Sequence, residues 1–165
     1  MNDGDGPFFA TGVSLITHMG NPHAPTVHFN IRFIQTEKRS WFGGGYDLTP
    51  MGFAYEEDTE HFHATARRAL DPHGEDLYPR FSHNAKEYFF IPHRKKERGV
   101  GGIFFDHHNS GDFERDLQMW KSVGNTFIDT VMPIYQKRVG MPYTAEEKEK
   151  QQELRAHYVE FNLLY

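Results

Sequence analysis

Residues 26–36 (TVHFNIRFIQT) alternate strictly, so a strand here carries Val27, Phe29, Ile31 and Phe33 on one face and His28, Asn30 and Arg32 on the other. Residues 10–18 are rich in β-branched and apolar types, and Ser14 and His18 share a face in the same way. Gly20, Asn21, Pro22 and Pro25 between the two segments break strand pairing and predict a hairpin turn. The two polar faces coincide only if Val13, Leu15 and Thr17 join Val27, Phe29, Ile31 and Phe33 in the core. The patch then holds two imidazoles, a hydroxyl, an amide and a guanidinium, with no acid among them. Such a set suits an anion, because arginine binds a carboxylate at two points and histidine donates a hydrogen bond or a proton. An antiparallel sheet with one face in water needs no function for its polar residues, so both accounts stand at this level.

Histidine is the other chemical signal: the chain has 11, and no cysteine. Disulfide scaffolds, thiolate nucleophiles, cysteine-type zinc sites and iron–sulfur clusters are thereby excluded, and histidine and carboxylate are left to carry acid–base or metal chemistry. His61 and His63 lie two apart on a predicted helix, about 200° around its axis, so only one can face a given site. His63 precedes Arg67 by four residues, a spacing that suits a surface pair. His93, His107 and His108 fall at element ends. No H-E-x-x-H, G-x-S-x-G or P-loop pattern occurs, and Gly43-Gly44-Gly45-Tyr46-Asp47 is not a dinucleotide fingerprint. Three consecutive glycines mark either a tight bend or a backbone pressed against a flat ligand with Asp47 aimed at it. The charged run 94–98 (RKKER) is expected to be a solvated loop, or else a source of charge for an acidic substrate.

These residues are to be positioned by a chain of 165 residues, one domain spanning 1–165, with 38% hydrophobic and 15% aromatic residues, enough for a core of large rings. The formal net charge of −5 argues against nucleic acid as a partner. No apolar stretch approaches a membrane span, and residues 1–6 (MNDGDG) are unlike a signal peptide, so a cytoplasmic protein is expected. A short third strand should run through Trp41 and Phe42 into the glycines. Phe62, Ala66, Ala69 and Leu70 form one helical stripe, closed by the turn 71–74, and a second helix should run from Asp76 or Pro79 to Phe90. Residues 99–106 (GVGGIFFD) read as a buried strand. Leu117, Trp120, Val123, Phe127, Val131 and Ile134 define a long helix over 113–139 that Pro133 could kink. Thr144 and Glu147 make a capping box for a further helix, and residues 158–165 (YVEFNLLY) read as a closing strand. The predicted class is α+β, an antiparallel β-sheet flanked by helices.

Eight segments in order, GVSLITH (12–18), PTVHFNIRF (25–33), WFGGGYDLTP (41–50), EEDTEHFH (56–63), YPRF (78–81), EYFFIPHR (87–94), RGVGGIFFD (98–106) and YVEFNLLY (158–165), resemble oxygen-dependent coproporphyrinogen III oxidase nearly end to end. That family oxidatively decarboxylates two propionates of coproporphyrinogen III to vinyl groups with dioxygen, releasing carbon dioxide and hydrogen peroxide, late in haem biosynthesis. The resemblance implies a substrate contact at Ser14 and a substrate segment of Asn30, Ile31 and Arg32, with Arg32 suited to a propionate. It implies His28 as proton donor and Asp47 as the acid that engages the pyrrole N–H groups. It assigns His18, His28, His63 and His93 to a manganese ion, selecting the second of the 61/63 pair, and implies no organic cofactor. Neutral imidazoles suit zinc, copper or iron better than manganese, so acid–base and hydrogen-bonding roles compete with ligation. It also implies a homodimer and a longer enzyme, with residues before Pro7 and a Gly-Gly-Arg segment after Tyr165. A truncated, non-catalytic porphyrin-binding remnant is the alternative, and a cupin-like dioxygenase, suggested only by His61 and His63, is opposed by the long helices after Phe113.

Overall fold

The computed structural model describes residues 6–164. Strands β1 (Phe8–Thr17) and β2 (Thr26–Thr36) pair antiparallel in the expected hairpin, with Ser14 opposite Asn30 and Leu15 opposite Phe29. Strand β3 (Ser40–Thr49) pairs with β2 and sets Asp47 opposite His28, Gly45 opposite Asn30 and Gly43 opposite Arg32. It is a full strand rather than the short one expected, because the glycines do not end it. They let it lie closer to its neighbours than any side chain would allow: a Cβ on Gly45, at φ +144°, would stand 2.1 Å from the Ile103 carbonyl oxygen.

Helices α1 (Glu56–Leu70) and α2 (Leu77–Tyr88) follow, then a small hairpin of β4 (Phe90–Ile91) and β5 (Lys96–Glu97). Strand β6 (Gly102–His108) returns to pair with β3 and completes an antiparallel sheet of order β1-β2-β3-β6. Helix α3 (Phe113–Arg138) opens on Asp112, whose side chain accepts from the Arg115 N–H, and it continues through Pro133. Helix α4 (Ala145–Leu164) opens on the predicted box: the Thr144 N–H donates to Glu147 Oε2 at 2.6 Å and the Glu147 N–H to Thr144 Oγ1 at 3.2 Å.

The apolar face of the sheet packs against α1, α2 and α3. Phe127 of α3 stacks on Phe29, Phe62 of α1 meets Tyr46 edge-on, and Phe81 of α2 stacks on Phe105. Each fully buried ring contributes on the order of 1.5–3 kcal/mol. Arg138 ties the end of α3 to the start of α1, with Nε 2.9 Å from Asp58 Oδ2 and its guanidinium 3.6 Å from the Tyr55 ring centre. A second, smaller cluster of Ala85, Phe89, Ile91 and Phe161 lies apart from this core.

Two expectations fail on packing. Val13 lies opposite Ile31 as the register requires, yet it is 55% exposed, because β1 is the sheet edge and α3 rests on its neighbours. Residues 158–164 are helix, not strand, and Tyr165 lies outside the described residues. Tyr158 and Phe161 are both buried, and their spacing of three puts them on one side of a helix but on opposite sides of a strand. Tertiary packing thus overrides the β-propensity of the segment.

Candidate active site

The polar face of the sheet is read directly from the register. Ser14, His28, Asn30, Arg32 and Asp47 share it, and Phe104 of β6, opposite Gly45, shares it too. Ile31 does not: it faces the core and packs near Gly124 of α3, so of the segment Asn30–Arg32 only the outer two reach this face. Ser14 is exposed beside Asn30.

Arg32 crosses Gly43. A Cβ there would fall 2.8 Å from Arg32 Nε, so the bare backbone is what gives the guanidinium its place. Arg32 Nη1 donates to Asn30 Oδ1 at 2.6 Å, and Nη2 pairs with Asp106 Oδ1 at 2.9 Å. The patch therefore does hold an acid, Asp106 from β6, which the two-stranded reading could not supply. Arg32 and Asp106 remain partly exposed.

Asp47 is completely buried. Arg98 approaches it from the end of the β4–β5 hairpin, donating Nε to Oδ2 at 3.0 Å and Nη2 to Oδ1 at 2.8 Å. His28 Nδ1 stands 3.0 Å from Oδ1. An ionised carboxylate only accepts, so Nδ1 carries the hydrogen and Nε2 is the free end of the imidazole. Asp47 is thus engaged by Arg98 and His28, with no exposed surface in this arrangement. Phe89, Tyr158 and Phe161 enclose Arg98, with their ring centres 4.3, 4.6 and 4.5 Å from its guanidinium carbon.

Arg98 is the residue that sequence reasoning placed wrongly. The run 94–98 reads as solvated charge, yet Arg98 is 4% exposed, and Lys96 and Glu97 form β5. The glycines that follow it, Gly99 and Gly101 at positive φ, turn the chain back toward β3, and that turn was the available signal.

The four histidines assigned to a metal do not assemble. His18 lies near the edge of Tyr158, with burial and then Arg155 holding its pKa below the usual value. His63 is not in a surface pair with Arg67: its Nδ1 meets the Tyr78 hydroxyl at 3.1 Å and its Nε2 the Val100 carbonyl at 2.9 Å. His93 joins Arg94 on Glu160, whose carboxyl is held below the usual range, first by Arg94 and then by His93. Among the described residues no three His, Asp or Glu side chains converge as a metal site. His61, the other member of the helical pair, lies near the Asp129 carbonyl.

Residues 1–165 match the family profile described as Coproporphyrinogen III oxidase. An oxygen-dependent coproporphyrinogen-III oxidase of Rickettsia akari is 48% identical over 161 residues, and those of Rickettsia rickettsii and Rickettsia bellii are 47% identical over the same length. Each alignment covers 98% of this chain and 57% of the relative, so the chain spans little more than half the length of the curated relatives it matches.

Proposed function

The chain belongs to the coproporphyrinogen III oxidase family, and from that premise we propose that its polar sheet face binds coproporphyrinogen III and takes part in its oxidative decarboxylation by dioxygen. For each propionate, R–CH2–CH2–COOH and O2 give R–CH=CH2, CO2 and H2O2, so the substrate arm loses two electrons and the oxygen gains them. Such chemistry asks the protein for cations to hold carboxylates, a group to move protons at the macrocycle, and an apolar surface for its rings.

The observation that carries this reading is the His28–Asp47–Arg98 chain at the head of the Ser14, Asn30 and Arg32 row. Asp47 fixes the His28 tautomer and leaves Nε2 as the atom that takes or gives a proton. Arg98 balances the buried carboxylate, so Asp47 is a positioning residue in this arrangement and His28 the proton-transfer group. Arg32 supplies the charge for a propionate, which displaces Asp106 or adds to the guanidinium beside it. Asn30, already hydrogen-bonded to Arg32, holds that guanidinium in place, and Phe104 gives the rings an apolar surface.

A manganese ion finds no assembled donor set here. Three of the four histidines are turned to Tyr158, Val100 and Glu160. The homodimer and the cytoplasmic location remain part of the proposal; no helix among the described residues is long and apolar enough to cross a membrane.

The test is aerobic incubation of the chain with coproporphyrinogen III, following vinyl products. Protoporphyrinogen formed by the wild type supports the reading. Binding without product favours the non-catalytic porphyrin-binding alternative, for which the ties of Arg32 to Asn30 and Asp106 are the specific observation.

A further inference from the structure

Strand β6 carries one residue more than the strand it pairs with. Phe105 lies opposite Gly44 and His108 opposite Phe42, so Asp106 and His107 together face the single residue Gly43. This is a β-bulge, and it interrupts the alternation of the strand. Phe104 and Asp106 point to the polar face and Phe105 to the core, so an unbroken period of two would send His107 inward. The bulge leaves His107 on the polar face beside Asp106. His108 takes the inward place, edge-on to Phe81 and Phe105, with Nε2 3.0 Å from Asp116 Oδ1.

His107 adopts φ +52°, a left-handed backbone found in only a few per cent of non-glycine residues and kept where the surroundings enforce it. Its ring stacks on Trp41, two residues before Gly43 on the same face of β3, with centres 5.0 Å apart and planes 15° apart. Both its backbone and its side chain turn to Asp106: the His107 N–H donates to Oδ1 at 2.9 Å, and Nδ1 stands 3.3 Å from Oδ2. Oδ1 also receives Arg32 Nη2. The other charges around His107 come from the neighbouring elements. Arg39 lies over the Trp41 ring, and Arg80 of α2, paired with Asp76, shares with His107 a cavity of about 340 Å³.

A carboxylate taken up at Arg32 brings a second negative charge next to Asp106, and two carboxylates at one guanidinium repel each other. An Asp106 held by Arg32 alone would compete with the incoming group for that cation. We propose that His107 is a positioning residue for the carboxylate bound at Arg32: the bulge aims its imidazole at Asp106, so that Asp106 keeps a donor of its own when Arg32 turns to a propionate. This rests on the reading that the sheet face binds coproporphyrinogen III, and it adds a residue that acts through Asp106 rather than on the substrate.

The test is a double-mutant cycle on coproporphyrin III binding by the full chain, with His107→Ala, Asp106→Asn and the two combined. His107→Gly is the second variant, because glycine takes the left-handed backbone freely and loses only the side chain. Each His107 variant is expected to bind roughly tenfold more weakly than wild type, the scale of one hydrogen bond to a charged group. In the Asp106→Asn background, where no charge needs the donor, the same substitutions should change affinity little. In the oxidase assay the loss should fall on KM, with kcat held, which a general loosening of the fold would not produce. Equal affinity in wild type and both His107 variants, or a tenfold loss that persists beside Asn at position 106, overturns the proposal while leaving coproporphyrin binding intact. Absence of saturable binding by wild type overturns the underlying reading and this proposal with it.

Discussion

Arg98 and Asp47, 51 residues apart in sequence, form a two-point ion pair with both side chains almost wholly buried, and His28 completes it from the sheet. Burying two charges is costly, and a pair in this geometry offsets that cost only while both partners remain. Substituting Arg98→Ala strands a carboxylate in the interior and should destabilise the fold by about 3–5 kcal/mol. Urea denaturation checks it, with the Arg98→Leu, Asp47→Leu double variant recovering most of the loss. A single Arg98→Ala variant as stable as wild type would mean the pair contributes little.

The glycine run makes a second prediction, with different outcomes at two positions. Gly45→Ala places a Cβ against the Ile103 carbonyl and should break the β3–β6 pairing, lowering the melting temperature sharply. Gly43→Ala meets only the movable end of Arg32, so stability should fall little while coproporphyrin affinity falls with the displaced guanidinium. Equal losses of stability at both positions would contradict this account.

The hairpin and the shared polar face were legible because a strict period of two in residues 26–36 leaves only one way for two strands to bury their apolar sides. Arg98 was not legible, since its partner is far away in sequence and a run of five charged residues looks the same whether one of them turns inward or none does. The end of α4 misled for a related reason: Tyr, Val, Phe and Leu favour strands in general, and what settles this segment is where Tyr158 and Phe161 find contacts. The resemblance names a contiguous segment, Asn30–Arg32, but alternation along the strand puts the Ile31 side chain on the core side and leaves Asn30 and Arg32 on the polar face.

Three tyrosines give a pH prediction. Burial raises the pKa of Tyr46 and Tyr158, and of Tyr135 against a hydrogen bond from Thr17 that lowers it. Their folded values lie above the unfolded value of about 10, so the folded state keeps protons that the unfolded chain releases. Stability is therefore unaffected below pH about 10 and declines as pH rises beyond it. Melting curves across this range should show the decline, less steep in Tyr158→Phe; a flat profile would refute the assignment.

Manganese supplies a further test. With the four histidines dispersed, added Mn2+ should leave the melting temperature unchanged, whereas an ion at a hundred times its dissociation constant would add about 2.7 kcal/mol. A clear rise that His63→Ala and His93→Ala both abolish would show that the histidines assemble after all.

The central claim is that His28, set by Asp47, moves the proton at the macrocycle. Rates of vinyl product from coproporphyrinogen III, measured in air for wild type and His28→Ala alongside coproporphyrin binding, test it most directly. The account predicts roughly a hundredfold or greater loss of rate, the usual scale for a general acid–base group, with binding retained. Wild-type turnover by His28→Ala would contradict it.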